Sequence, residues 1–354
     1  MLYPIGIEMR DEYREYENYK AAMKMVKDVM LVKEGEDVVI TADSSTDLRV
    51  IKAVANSVYV LGANPIVLHY PTTGRSYQEP WKAIRGAVTN CDVWLEFSYT
   101  TVMHSPTFQK ALDNGVRYAC FTGMDTIMMQ NTIGKVDYPL LVEFGEYMKE
   151  RIQKANKIEI YCSNGTELIA YNEGRRVKNS GQLATKKGFP IMLGGQISWC
   201  PIEETINGKL VFDAALFPPE EIGLISEPIK LTLKEGRVTD IEGGRQAKIF
   251  SDWLKSFDDP NMYRLAHYSL GFNPGVTKAT GRIVEDERIF GCLEMGIGSQ
   301  GASIMGSFWD AKAHCDGIVS SPTIILDDVI WEENGVYKEK EVIEYCKKLG
   351  VSGY

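Results

Sequence analysis

Two histidines and an aspartate in the C-terminal third of the chain have the residue types and spacing for metal chemistry. His314 and Asp316 flank Cys315, and alternate residues of a strand project from one face. His267 lies well upstream, and the chain has only four histidines. Two imidazoles and one carboxylate make a facial ligand set that leaves coordination positions open for substrate. A core imidazole hydrogen-bonded to a carboxylate uses the same residues, and spacing alone does not separate the two readings. The alternation that joins His314 to Asp316 turns Cys315 to the opposite face.

Three other segments bear on chemistry. Glu294 sits in the apolar run FGCLEMGIG, where a carboxylate is costly to bury unless paired, protonated or bound to a cation. Arg282 and Arg288 are its candidate partners. His104, in SYTTVMHSPTF, follows a strand pattern and precedes Ser105-Pro106, a helix start with proline at the first helical position. Open α/β sheets bind ligands at the carboxyl ends of their strands, which makes His104 a catalytic candidate. His69, inside PIVLHY, reads as structural. GIGSQG (296–301) matches G-x-G-x-x-G but lacks the strand–turn–helix context of a dinucleotide site; it reads as a loop beside the metal. The adjacent acids of PIEETING read as solvated.

The elements that must position these residues fall into two textures. Over the first half, strand patterns at 38–43, 65–70, 92–97 and 117–123 alternate with helical periodicity at 9–31, 47–62, 79–89, 105–113 and 138–155. Ser44, Ser45 and Thr46 are the candidate caps of the second helix. This alternation implies a doubly wound parallel sheet. Beyond it, KIEIYCSNGTELIAYN reads as a hairpin turning at Asn164-Gly165, and KLVFDAAL, PIKLTLKEGRVTDIEG and GVYKEKE add strands, with a helix at 244–257. The fold class is α/β: an N-terminal doubly wound parallel-sheet domain over 1–156, then a β-rich α+β metal-binding domain over 157–354.

With 354 residues and a net charge of −9, the chain offers no basic stretch for nucleic acid. The charged run EMRDEYREYENY (8–19) reads as a solvated helix face. Apolar runs are too short to span a membrane and no secretory signal is visible, so a cytoplasmic location is expected. Seven dispersed cysteines without a C-x-x-C pair read as reduced thiols.

Taken in order, GGQISWCPIEETINGKLVFD, RLAHYSLGFNPG, GCLEMGIG and AHCDG resemble the thermophilic metallo-aminopeptidase (aminopeptidase T) superfamily, which includes iron-dependent 2,5-dihydroxypyridine dioxygenases. The resemblance covers essentially the whole chain. Where the aminopeptidases hold two metals with carboxylates and histidines, this sequence has Gln196, His267 and Glu294 at changed positions and retains His314 and Asp316. Fewer anionic ligands disfavour two neighbouring dications. The dioxygenase branch implies Fe(II) held by His267, His314 and Asp316, with His104 moving the proton of a ring hydroxyl.

The sequence departs from that branch in having no histidine within KKGFPIMLGGQISW. A metallohydrolase on the same scaffold, a diverged aminopeptidase or an amide or ring hydrolase using zinc or manganese, is therefore the alternative, with Glu294 as base or further ligand. A binding protein with a vestigial site is a third reading. Catalytic candidates are thus His104 and Glu294, with Gln196 and Ser105 beside metal or substrate. The expected partners are a small-molecule substrate in the cleft between domains and further copies of the chain in a homo-oligomer, with neither nucleic acid nor membrane.

Overall fold

The computed structural model describes residues 13–354 apart from 75, 77 and 305, and the backbone alone of 303. Two compact units form, Met1–Pro139 with Gly181–Leu193, and Leu140–Ser180 with Gly194–Tyr354. Where the sequence pattern places one boundary at 156/157, the division falls inside helix Tyr138–Lys154 and the chain returns to the first unit at 181–193. The returning segment supplies strand Pro190–Met192 to the edge of the parallel sheet. Three residues opening on a proline carry no period to read, which is why the sequence pattern misses this strand.

The first unit is built on that sheet. Its spatial order is Asn64–Tyr70, Asp37–Asp43, Val93–Glu96, Arg117–Cys120 and Pro190–Met192, every neighbouring pair parallel. The expected strands are all present. The order reverses between Asp37–Asp43 and Val93–Glu96, giving a switch point at their carboxyl ends. The central strands are apolar because both faces are covered: Val93, Trp94 and Leu95 are fully buried. Trp94 packs edge-on against Tyr118 at 4.8 Å between ring centroids and donates Nε1–H to Thr41 Oγ1 at 3.0 Å.

Helix Leu48–Val60 is capped by Asp47, whose side chain accepts from Arg49 N, not by the serines or threonine before it. Thr46 instead donates to Asp43 Oδ1 and to the Phe97 carbonyl. Of the expected opening helix, residues 9–12 lie outside the described residues; Glu15–Lys24 is α-helical and continues as a π-helical turn, Met25–Val29.

The second unit contains two antiparallel sheets. One runs Arg237–Glu242, Ile229–Lys234, Asn207–Phe212, Glu167–Tyr171, Lys157–Tyr161, Thr323–Leu326, Val329–Glu333 and Val336–Tyr337. It includes the expected hairpin, with Gly165 at φ +106° in the turn. The other runs Gly223–Leu224, Ala215–Phe217, Trp309–Val319, Cys292–Gln300, Leu265–Gly271, Gln196–Trp199 and Lys178–Asn179. One face of this second sheet, with Leu293, Met295, Ile297, Tyr268, Leu270, Cys315 and Val319, is buried in the unit's core. Phe212 of the first sheet seats against Gly317, where a Cβ would lie 2.5 Å from its ring. Each of these large apolar side chains contributes about 1.5–3 kcal/mol by leaving water. The opposite face carries the polar residues.

Candidate metal centre

Register decides which side chains share that polar face. His267 pairs with Gly296 and Gly296 with Asp316, so one row crosses three strands. The next row joins Ser198, Ser269, Glu294 and Ile318, and His314 lies opposite Gly298. Opposed residues of antiparallel strands project together, so His267, Glu294, His314 and Asp316 meet on one side. Two β-bulges flank the site, one between Leu265 and His267 and one between Gly298 and Gln300. An extra residue in one strand re-aims the side chains beyond it, and here it brings His267 onto the polar face.

One ligand atom from each of His267, His314 and Asp316 lies within 4.8 Å of the other two. His314 Nε2 is 2.9 Å and His267 Nε2 is 3.6 Å from Asp316 Oδ1. The imidazole rings stack at 5.1 Å between centroids with 19° between their planes. That approach requires Gly296, since a Cβ there would stand 2.3 Å from His267 Cε1 and 2.7 Å from His314 Cε1. GIGSQG is accordingly strand rather than loop through Gln300, and its first glycine makes room for two rings. Side-chain exposure rises from 12% at His267 through 18% at Asp316 to 33% at His314, so the site opens on the His314 side.

Hydrogen bonding orients the rings. A carbonyl can only accept, so His314 Nδ1–H donates to the Ser299 carbonyl at 2.8 Å. Nε2 is left facing the Asp316 carboxylate, a pairing that needs either a second proton or a cation between them. His267 Nε2 is 3.1 Å from both carboxyl oxygens of Glu294. Gln196 Nε2–H donates to Glu294 Oε2 at 3.2 Å, while the fully buried Oε1 has no hydrogen-bond partner among the described residues. Arg282 pairs with Glu285 and Arg288 with Glu287. Cys315 is buried on the other face, opposite Ile297.

The electrostatics follow from crowding carboxyls in a largely buried site. Burial, then the charge of Asp316, pushes Glu294 well above the carboxylate range and raises Glu287 as well. Burial acts to raise Asp316 too, but the charge and hydrogen bond of His314 hold it below its ordinary value. Burial lowers His267. It acts the same way on His314, where the charge and hydrogen bond of Asp316 outweigh it and hold the imidazolium above its usual value. Converging ring nitrogens and a surplus of carboxyls are together the donor chemistry of a divalent cation.

Other candidates fall elsewhere. His104 belongs to the first unit, in the turn after Val93–Glu96, with a left-handed backbone (φ +65°) and its ring 6.0 Å from that of Phe108. Such a backbone in a residue with a Cβ is strained, and strain of this kind gathers at functional sites. Ser105 is buried and its hydroxyl is committed to the helix cap, accepting from Phe108 N at 3.1 Å. Glu96, which the sequence reading passed over, is fully buried; it accepts from Val102 N at 2.7 Å and Thr101 Oγ at 2.8 Å and so fixes the chain leading to His104. His69 bonds the Asp43 carbonyl through Nε2, a structural contact.

Glu203 of PIEETING is a correction. It is buried, paired with Arg175, and accepts from Ser307 N and Gln300 Nε2, because segments far apart in the sequence bring donors beside it. Glu287 also went unnoticed in the sequence, lying in a charged run that looks solvated.

A family model described as 2,5-dihydroxypyridine 5,6-dioxygenase matches residues 18–338. A curated 2,5-dihydroxypyridine 5,6-dioxygenase from Pseudomonas putida KT2440 is 32% identical over 81 residues, a match spanning 23% of each chain. The solved structure of a 2,5-dihydroxypyridine dioxygenase from the same organism aligns with a TM-score of 0.75 at 18% identity, over 93% of this chain and 99% of that one. Wild-type AmpT from Thermus thermophilus aligns with a TM-score of 0.64 at 12% identity, over 92% and 100%. At those identities the two structures speak for a shared fold, the two-domain α/β architecture of aminopeptidase T. Among the described residues, no helix is long and apolar enough to cross a membrane.

Proposed function

This chain belongs to the 2,5-dihydroxypyridine 5,6-dioxygenase family, and we propose that it is a non-haem Fe(II) enzyme that opens a small hydroxylated N-heterocycle with dioxygen. The observation that carries this reading is the convergence of His267, His314 and Asp316 on one sheet face around Gly296. A ferrous ion held by these three would supply a path for electrons between the ring and oxygen, with positions left open for both.

The chain's own residues supply the rest. The Ser299 carbonyl fixes the His314 tautomer so that Nε2 points inward. Glu294, held by Gln196, lies against the His267 ring and limits its turning. For acid–base work the candidate is His104, an imidazole on a left-handed turn after Val93–Glu96. The apolar core behind the sheet holds the ligand-bearing strands rigid, as a site built on strands requires.

The test is anaerobic reconstitution with Fe(II), followed by metal analysis, oxygen uptake and loss of 2,5-dihydroxypyridine absorbance. One iron per chain and one dioxygen consumed per ring opened are expected. Turnover without oxygen, supported by zinc or manganese, would overturn the reading in favour of hydrolysis.

A further inference from the structure

Lys178 has no part in the metal set, yet it stands on the same face. Its strand forms the sheet edge, with Lys178 opposite Ser198 and Asn179 opposite Ile197. The row therefore runs Lys178, Ser198, Ser269, Glu294 and Ile318. Asn179 takes the other face, where its Nδ2–H donates to Glu146 Oε1 at 3.1 Å. Lys178 is two strand steps from the His267 strand, about 9–10 Å at ordinary sheet spacing. A flexible lysine stem and a six-membered ring together bridge such a gap.

Lys178 is half-buried, and among the described residues no carboxylate pairs with it. Burial lowers its pKa, with no neighbouring charge acting the other way. With no carboxylate of the described residues paired to it, the lysine is available to an anionic ligand. Ser198, the next residue in the row, adds a donor. Ser269 Oγ–H donates to Ser198 Oγ at 2.8 Å, which leaves the Ser198 hydroxyl proton for a ligand. A lysine and a serine in opposed register positions can together supply the ammonium and hydroxyl that bind a carboxylate.

We infer that Lys178, with Ser198, receives a carboxylate carried on the substrate ring, so that this enzyme takes a carboxylated hydroxypyridine in preference to the bare ring. The inference rests on the ring-substrate reading above and adds the substituent.

Calorimetric titration of the Fe(II)-loaded protein without oxygen tests it. The probes are 2,5-dihydroxypyridine, its 3- and 4-carboxylates, and the matching carboxamides. One carboxylate is expected to bind tighter than its carboxamide by about tenfold or more, the size of a charge-assisted hydrogen bond. Lys178→Met is expected to abolish that preference with metal content and melting temperature unchanged, Lys178→Arg to keep most of it, and Ser198→Ala to reduce it. Equal affinity for carboxylate and carboxamide in the wild type, or an undiminished preference in Lys178→Met, overturns the inference. Binding of the bare ring without carboxylate preference removes this inference and leaves the ring-substrate reading standing. If no ring binds to protein that holds its iron, both fall.

Discussion

Gly296→Ala isolates the geometry on which the proposed metal centre depends. The glycine has no left-handed backbone to protect, so the perturbation is steric. The added Cβ would sit 2.3 Å from His267 Cε1, 2.5 Å from His267 Nδ1 and 2.7 Å from His314 Cε1. Carbon atoms pack at about 3.5–4.0 Å, so one or both rings must retreat by about 1 Å. Neither ring is a loose tip: His314 is held by the Ser299 carbonyl and His267 by Glu294. Overpacking of this kind costs about 1–3 kcal/mol of stability, which a chain of this size tolerates. Metal affinity responds more strongly, since disturbing the support of a ligand weakens binding by about 10–100-fold.

The assay is anaerobic Fe(II) titration alongside thermal melting. Ile297→Val, one residue away on the core face, is the control. It should cost about 0.5–1.5 kcal/mol of stability and leave the metal constant alone. A Gly296→Ala protein that binds one Fe(II) with wild-type affinity would refute the claim that the empty Cβ position lets the ligands converge.

Three further predictions concern the first unit. His104→Ala is expected to lower turnover by about 100-fold or more while the protein keeps its full complement of iron, measured by metal analysis and single-turnover kinetics. Unchanged turnover removes His104 from the chemistry. Glu96→Ala leaves the buried Val102 N–H without its acceptor; it should cost about 1–3 kcal/mol in urea unfolding and speed proteolysis within 100–105. Asp47→Ala removes the cap of Leu48–Val60 and should cost about 1 kcal/mol at pH 7. Burial works to raise the Asp47 carboxyl, but its bonds from Arg49 and Thr126 hold it below the ordinary value of 3.8. The stabilisation is therefore complete above that value and lost as pH falls through the lowered one. Melts at neutral and acid pH should show the gap between wild type and variant closing in acid.

Much of this architecture is legible in the sequence because its signals are local. Alternating strand and helix patterns foretell the parallel sheet of the first unit, and Asn164-Gly165 foretells a hairpin of the second. Proline after Ser105 marks a helix start, and His314 and Asp316 share a face by alternation alone. The edge strand Pro190–Met192 is too short to show a period, so the return to the first unit stays hidden. The cap at Asp47, the burial of Glu203 and the place of Glu287 depend on which distant donors and charges arrive beside them.

The sequence by itself determined the kinds of groups available: four histidines, an apolar run interrupted by Glu294, and a His-x-Asp triplet. Only the tertiary structure decided that Gln196, His267, Glu294 and Asp316 stand on one face of adjacent strands. Only there does Gly296 become the space between two imidazoles, and Lys178 a cation on the face they share. The reason is register. A slip of one residue turns a whole strand's side chains to the other face, and register here is set by two bulges and a buried apolar face that act across strands far apart in the chain.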